Sequence, residues 1–265
     1  MYEYRSILLP LLHRAGEMMK KAHTAEENGE VTVKPGSANF VTVHDLRIQE
    51  FLISEIRKVI PDARFIAEEQ DNDPSVLASE HCFIIDPIDG TTNFIRDCRH
   101  SCISLAMLCQ GTPTLGAVYN PYLDELYVAE KGKGATLNGR PMRVADRKPE
   151  VSLIAYGTAP YYKDTLGAPT FELCYRLFQR GADVRRCGSA ALDLANLAAG
   201  RYDGFFEFLL SPWDIAAGYL LITEAGGIIT DMKGNPISFS APCPILAASP
   251  TFYPILLKEA SAFTD

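Results

Sequence analysis

Apolar positions recur along the chain with two different periods. Ile7, Leu8, Leu11, Leu12, Ala15, Met18, Met19 and Ala22 follow helical spacing and predict an amphipathic helix over 4–22, with both methionines in the core. Residues 28–40, rich in Gly, Lys, Pro, Ser and Asn, read as a loop. A second helix follows, with Ile48, Phe51, Leu52, Ile56 and Val59 on one face and Pro61 as its stop. The pattern then breaks into short apolar runs at 64–67, 82–86, 101–109, 114–119, 125–129 and 151–156. Gln110-Gly111-Thr112-Pro113 and Asn120-Pro121 between the runs predict antiparallel pairing. The second half alternates: helices at 170–180, 189–199 and 213–225 precede strands at 182–187, 203–208 and 227–231. A strand at 244–248 leads into a terminal helix. Helices and sheets therefore layer throughout, with a lobe boundary best placed at 140–150 and no internal repeat or linker.

The chain of 265 residues is long enough to bury a sizeable core as one domain or two fused lobes. No apolar stretch approaches the roughly 20 residues of a membrane span, and the start lacks a signal peptide's order of charges. Seven cysteines without a CxxC pair predict free thiols in a reducing, cytoplasmic setting. Cys98 and Cys102 flank His100, but without a fourth ligand or a defined pair they do not read as a zinc site. A net charge of −8 argues against broad nucleic-acid binding.

The chemistry concentrates in Asp86-Pro87-Ile88-Asp89-Gly90-Thr91. An apolar run delivers two carboxylates and several free backbone N–H groups to the mouth of one strand. Carboxylates suit a hard cation such as Mg²⁺. N–H groups at a strand-to-helix turn suit a phosphate. An Asp-x-x-Asp pair alone is weak, since most such pairs are turn or cap residues; the full string before Gly-Thr-Thr-Asn is far stronger. Glu68 and Glu69 end another strand, and Asp214 opens a helix, where a plain interaction with the helix dipole is the competing explanation.

Together these segments resemble the inositol monophosphatase family over nearly the whole chain. Its two signatures read here as Asp86-Pro87-Ile88-Asp89-Gly90-Thr91-Thr92-Asn93-Phe94 and Trp213-Asp214-Ile215-Ala216-Ala217-Gly218. Its other elements read as Val41-Thr42-Val43-His44-Asp45, Ala67-Glu68-Glu69 (with alanine for the usual glycine) and Gly188-Ser189-Ala190-Ala191, with Glu207 seven residues before Asp214. The resemblance implies an α+β fold, a layered αβαβα sandwich, as a single domain over 1–265 with lobes of about 1–145 (metal-binding) and 146–265 (substrate-side). It implies two to three Mg²⁺ ions, held by Glu68, Asp86, the Ile88 carbonyl, Asp89 and Asp214. Glu68 and Thr91, the latter paired with Asp45, would orient and deprotonate the attacking water. Asp89, Gly90, Thr91, Gly188, Ser189, Ala190 and Glu207 would bind the substrate.

The implied activity is Mg²⁺-dependent hydrolysis of a phosphate monoester, inositol 1-phosphate first, by direct attack of a metal-activated water. Li⁺ inhibition and a homodimer are implied as well. No histidine base is needed; none of the five histidines lies inside the metal-ligand motifs, and His44 reads as a residue of the surface or of the site's outer support. Asn39 and Phe40, and the stretch Ile95 to His100, depart from the family's usual residues and bear on ion and substrate preference. Fructose 1,6-bisphosphate and nucleotide 3′-phosphates are alternative substrates within the superfamily, and an RNA- or protein-binding accessory role is an alternative of another class. An aspartyl-phosphate mechanism is disfavoured, because it needs Asp-x-Asp and the aspartates here stand three apart. Gly132-Lys133-Gly134 lacks the spacing of a P-loop.

Overall fold

In a computed structural model, residues 2–24, 31–33 and 40–263 are described. The first half runs α1 (Tyr2–Thr24), β1 (Val31–Val33), β2 (Phe40–Thr42), α2 (Val43–Val59), β3 (Arg64–Ala67), β4 (Cys82–Asp89), α3 (Thr91–Ile95), β5 (Cys102–Cys109), β6 (Thr112–Asn120), β7 (Glu125–Glu130), β8 (Gly134–Leu137) and β9 (Arg140–Met142). The second half runs β10 (Leu153–Tyr156), α4 (Lys163–Phe178), β11 (Asp183–Arg185), α5 (Ala190–Ala198), β12 (Gly204–Leu210), α6 (Pro212–Glu224), β13 (Ile228–Thr230), β14 (Cys243–Ala248) and α7 (Tyr253–Ala260).

Strands β3 to β9 form a seven-stranded sheet in sequence order, antiparallel except for the parallel pair β3–β4. The other sheet has the order β11-β10-β12-β14-β13. The period of two along each strand sorts side chains into separate cores. Phe83 and Ile85 of β4 join Leu8, Leu12, Ile48 and Leu52 of α1 and α2, whereas Cys82 and Ile84 join Leu194 of α5 and Leu221 of α6. Phe205 of β12 faces this same α5–α6 layer, and its neighbour Phe206 faces Leu177 of α4 and Leu256 of α7. The order of layers is therefore α1/α2, seven-stranded sheet, α5/α6, five-stranded sheet, α4/α7, an αβαβα sandwich. Each buried Leu, Ile or Phe contributes roughly 1.5–3 kcal/mol.

The structure departs from the sequence reading in four places. Within the segment read as a loop, Val31–Val33 and Phe40–Thr42 pair antiparallel; Asn39 lies outside the described residues. Val59, assigned to the apolar face of α2, is exposed, and Ile60 is buried in its place. Strands β8 and β9 were not expected. Helix α4 begins at Lys163, seven residues before the predicted start, running through Pro169.

Candidate active site

A cleft of about 480 Å³ opens where the two sheets and helix α6 meet. Of the residues expected to act, Glu68, Asp86, Ile88, Asp89, Gly90, Thr91, Gly188, Ser189, Ala190, Glu207 and Asp214 all line it. Asp45 does not; it is fully buried at the first turn of α2.

A strand of period two would point Asp86 and Asp89 to opposite faces. The pairing of β4 with β5 shifts between them: Asp86 lies opposite Ser104 and Asp89 opposite Cys102, three residues against two. This bulge turns both carboxylates to one side. Asp214 arrives from the other half of the chain, in the first turn of α6. There Ser211 and Asp214 form a capping box, and the Ser211 N–H donates to Asp214 Oδ2 at 2.6 Å. The dipole interaction expected as the plain explanation is thus present, and the same cap fixes the carboxylate at the cleft. Oxygens of Asp86, Asp89 and Asp214 lie within 4.8 Å of one another.

Burial is the main cause raising all three above the usual carboxylate range; for Asp86 the charges of Glu68, Asp89 and Asp214 add to it. Two unit charges about 5 Å apart repel by roughly 3 kcal/mol at an effective dielectric of 20. Three converging oxygen donors that cannot all ionise unaided fit a hard divalent cation such as Mg²⁺. Asp89 is divided in function. Its Oδ2 accepts from the Ser189 hydroxyl at 2.5 Å and from the Ala191 N–H at 2.8 Å, so the same carboxylate that belongs to the trio also ties β4 to the start of α5.

Gly90 begins α3 at φ 89°, a conformation that a Cβ strains, and a Cβ there would also stand 3.1 Å from the Gly188 carbonyl. Glu207 Oε1 accepts from the Ala159 N–H at 2.9 Å, and burial pushes Glu207 up to about 7. Gly157 leaves the room for that carboxylate: a Cβ there would fall 1.8 Å from Oε2.

The pairing of Thr91 with Asp45 is not present. The Thr91 hydroxyl donates to the Ile88 carbonyl at 3.2 Å. Asp45 Oδ2 instead accepts from the N–H and hydroxyl of Thr42, as the third residue of a capping box. That cap engages Oδ2 alone, and no bond joins either oxygen to Thr91. Asp45 Oδ1 remains buried without a hydrogen-bond partner, and burial pushes its carboxyl up to about 6. His44 lies half-buried with its ring edge-on to Phe94.

Several lining residues escaped the sequence reading: Tyr161, Tyr162, Arg186 and Asp193. Among the described lining residues Arg186 carries the sole Lys or Arg charge. Tyr161 is 44% exposed, and it lies near enough to feel the charges of Glu68 and Asp214. Nothing local in the sequence marks one arginine among 25 basic residues or one tyrosine among 12.

A cleft between two sheets, lined by clustered carboxylates and a glycine-led turn, defines a metal-dependent phosphatase of the αβαβα type. The inositol monophosphatase family matches residues 2–263, and the chain belongs to that family. It is 39% identical over 231 residues to inositol-1-monophosphatase of Mesorhizobium japonicum, covering 87% of this chain and 86% of that one. It is 38% identical over 235 residues to the Nus factor SuhB of Escherichia coli K12, covering 89% of this chain and 87% of the relative. The SuhB protein of Bartonella henselae superposes with a TM-score of 0.91 at 33% identity, over 98% of this chain and 99% of that one. The Thermotoga maritima IMPase gives 0.87 at 32%, over 99% and 98%. Among the described residues no helix is long and apolar enough to cross a membrane.

Proposed function

We propose that the chain hydrolyses inositol 1-phosphate to inositol and phosphate. The observation that carries this reading is the convergence of Asp86, Asp89 and Asp214 in one cleft that Glu207 and Ser189 also line, with Ser189 bonded to Asp89. Glu68, Asp86, Asp89, Asp214 and the Ile88 carbonyl would hold Mg²⁺. Bound Mg²⁺ supplies the positive charge that neutralises the transferring phosphoryl group and makes water more acidic. The Gly90 and Thr91 N–H groups receive phosphate oxygens. With its proton given to Ile88, the Thr91 hydroxyl offers lone pairs that orient the attacking water, and Glu68 takes that water's proton. The water oxygen bonds to phosphorus, the phosphorus–ester oxygen bond breaks, and the departing oxygen takes a proton from solvent. Glu207 and the Ala190 end of α5 hold inositol hydroxyls, and Arg186 lends charge to that side.

Phosphate release from inositol 1-phosphate with Mg²⁺, and its loss in EDTA, tests the reading. Turnover that favours fructose 1,6-bisphosphate or a nucleotide 3′-phosphate over inositol 1-phosphate in the same assay overturns the substrate. Li⁺ at millimolar concentration should inhibit, being close to Mg²⁺ in size with half its charge. The E. coli relative's name favours a second reading, a Nus-factor role. A binding role does not require the carboxylate trio, so the chain would then restore an E. coli strain deprived of SuhB with Asp214→Asn as well as without it.

A further inference from the structure

At the edge of the cleft, the segment before β5 meets the stretch from β11 into α5 and brings together an imidazole, a thiol and a carboxylate. His100 precedes β5, Cys187 follows β11, and Asp193 lies in α5. One ligand atom from each lies within 4.8 Å of the other two. Cys187 and Asp193 already interact, and one polar atom on each of His100 and Asp193 is unsatisfied. His100 Nε2 and Asp193 Oδ1 are buried with no hydrogen-bond partner, and Asp193 is 1% exposed. A buried acceptor and ring nitrogen left empty cost about 1–3 kcal/mol each, so the arrangement calls for a ligand.

The scaffold holds the three in place. The Asn93 side-chain amide donates to the His100 carbonyl at 2.7 Å and to the Cys187 carbonyl at 2.9 Å, fastening the two segments together. The Asp193 N–H donates to the Ser189 carbonyl at 3.0 Å, inside a helix start that also carries the Ser189–Asp89 bond. Cys187 Sγ lies 3.5 Å from the Tyr202 hydroxyl; burial and the charge of Asp193 keep the thiol protonated while no cation is bound.

We propose that His100, Cys187 and Asp193 form a binding site for a borderline-soft divalent cation, Zn²⁺ in the first instance, with a fourth position open to water. Imidazole and thiolate favour such a cation over Mg²⁺, which prefers the all-oxygen trio across Ser189. A neutral imidazole, a thiolate and a carboxylate leave a Zn²⁺ site without net charge, which suits its burial. Binding would release the Cys187 proton to solvent as the sulfur bonds to the metal. The cysteines that flank His100 in sequence, set aside as a zinc site, stay outside this group: Cys98 is exposed, and Cys102 Sγ lies by Ser189 and Asp89.

The test is a Co²⁺ titration of the metal-stripped full chain in saturating Mg²⁺, which keeps the oxygen trio filled. A thiolate-to-cobalt charge-transfer band should rise in the near ultraviolet and saturate at about one ion per chain. Cys187→Ser should abolish the band, Asp193→Asn and His100→Gln should weaken Co²⁺ binding by roughly ten-fold or more, and Cys98→Ser should keep it. In the unmutated chain, Zn²⁺ should protect Cys187 from alkylation, read by mass spectrometry. Absence of the band, its survival in Cys187→Ser, or alkylation of Cys187 unaffected by Zn²⁺ each overturns the proposal.

Discussion

On one wall of the cleft Asp86 faces Glu68, Asp89 and Asp214, and every charge acting on it raises its affinity for a proton. On the other wall Glu207 is buried too, and burial and the charge of Asp89 raise its affinity, yet it rests on the Ala159 N–H and feels Arg186, and both of these lower it. The first wall is assembled around a missing positive charge. The second has its partners in place and is shaped by them: Ala159 adopts φ 40°, a left-handed conformation costly for a non-glycine residue, while it donates to Glu207. The same residue type, equally dehydrated, thus serves two ends. Repelling carboxylates store affinity for a cation, and a partnered carboxylate offers a fixed acceptor to a hydroxyl.

Removing one member of the repelling wall should have the largest effect. Asp214→Asn keeps the shape of the α6 cap but takes a negative charge from the trio. Turnover should fall by at least roughly 10³-fold, and the rise in melting temperature that saturating Mg²⁺ gives the unmutated chain by mass action should shrink sharply. An equal rise in both proteins, by scanning calorimetry, would show that the trio is not where the cation acts. Thr91 stands at the junction of the two walls. Thr91→Val should lower kcat by about 10²–10⁴-fold and change KM far less. A variant that is only less stable and turns over near the normal rate would leave Glu68 as the sole base. On the partnered wall, Glu207→Gln should raise KM for inositol 1-phosphate by roughly 10–100-fold and leave Mg²⁺ stabilisation intact. Loss of Mg²⁺ stabilisation in this variant would erase the distinction between the walls.

The repelling wall was far more legible in the sequence than the partnered one. Two carboxylates in a rigid Asp-Pro-Ile-Asp turn after an apolar run, and a third beside a lone tryptophan, are local signals. The bulge and the Ser211 cap then need only place them. The partnered wall depends on contacts with no local signature, such as Gly157 making room for Glu207 fifty residues on, or Ala159 bending to reach it. The layers were legible for the same reason, because long strands with two buried faces announce themselves. Strands β8 and β9 did not, being three or four residues long and carrying Gly134, Arg140 and Pro141 at a half-exposed edge. The early start of α4 was hidden by Gly167 and Pro169 and by Phe171, Tyr175 and Phe178, which face outward. The expected bond between Thr91 and Asp45 is absent: the Thr91 hydroxyl and Asp45 Oδ2 each have a partner three residues away, and Asp45 Oδ1 has none.

The smallest expected effect is a slope of stability against pH. In EDTA, Asp45 and Glu207 hold their protons in the folded chain up to about 6 and about 7, against ordinary values of 3.8 and 4.5. Between those limits the folded state binds more protons than the unfolded state. Stability should therefore fall as pH rises from about 4 to about 7, by at most about 1.4 kcal/mol per pH unit for each group. The repelling trio, with raised values of its own, adds to the same fall. Mg²⁺ should cancel the trio's share, since the cation favours the ionised carboxylates, and leave the share of Glu207. Glu207→Gln should do the converse, flattening the upper part of the window and leaving the response to Mg²⁺. Urea midpoints measured from pH 4 to 8, with and without Mg²⁺, for the unmutated chain and Glu207→Gln, separate the two shares. Stability that rises with pH in EDTA, or one slope common to all four series, would mean that the two walls do not differ electrostatically.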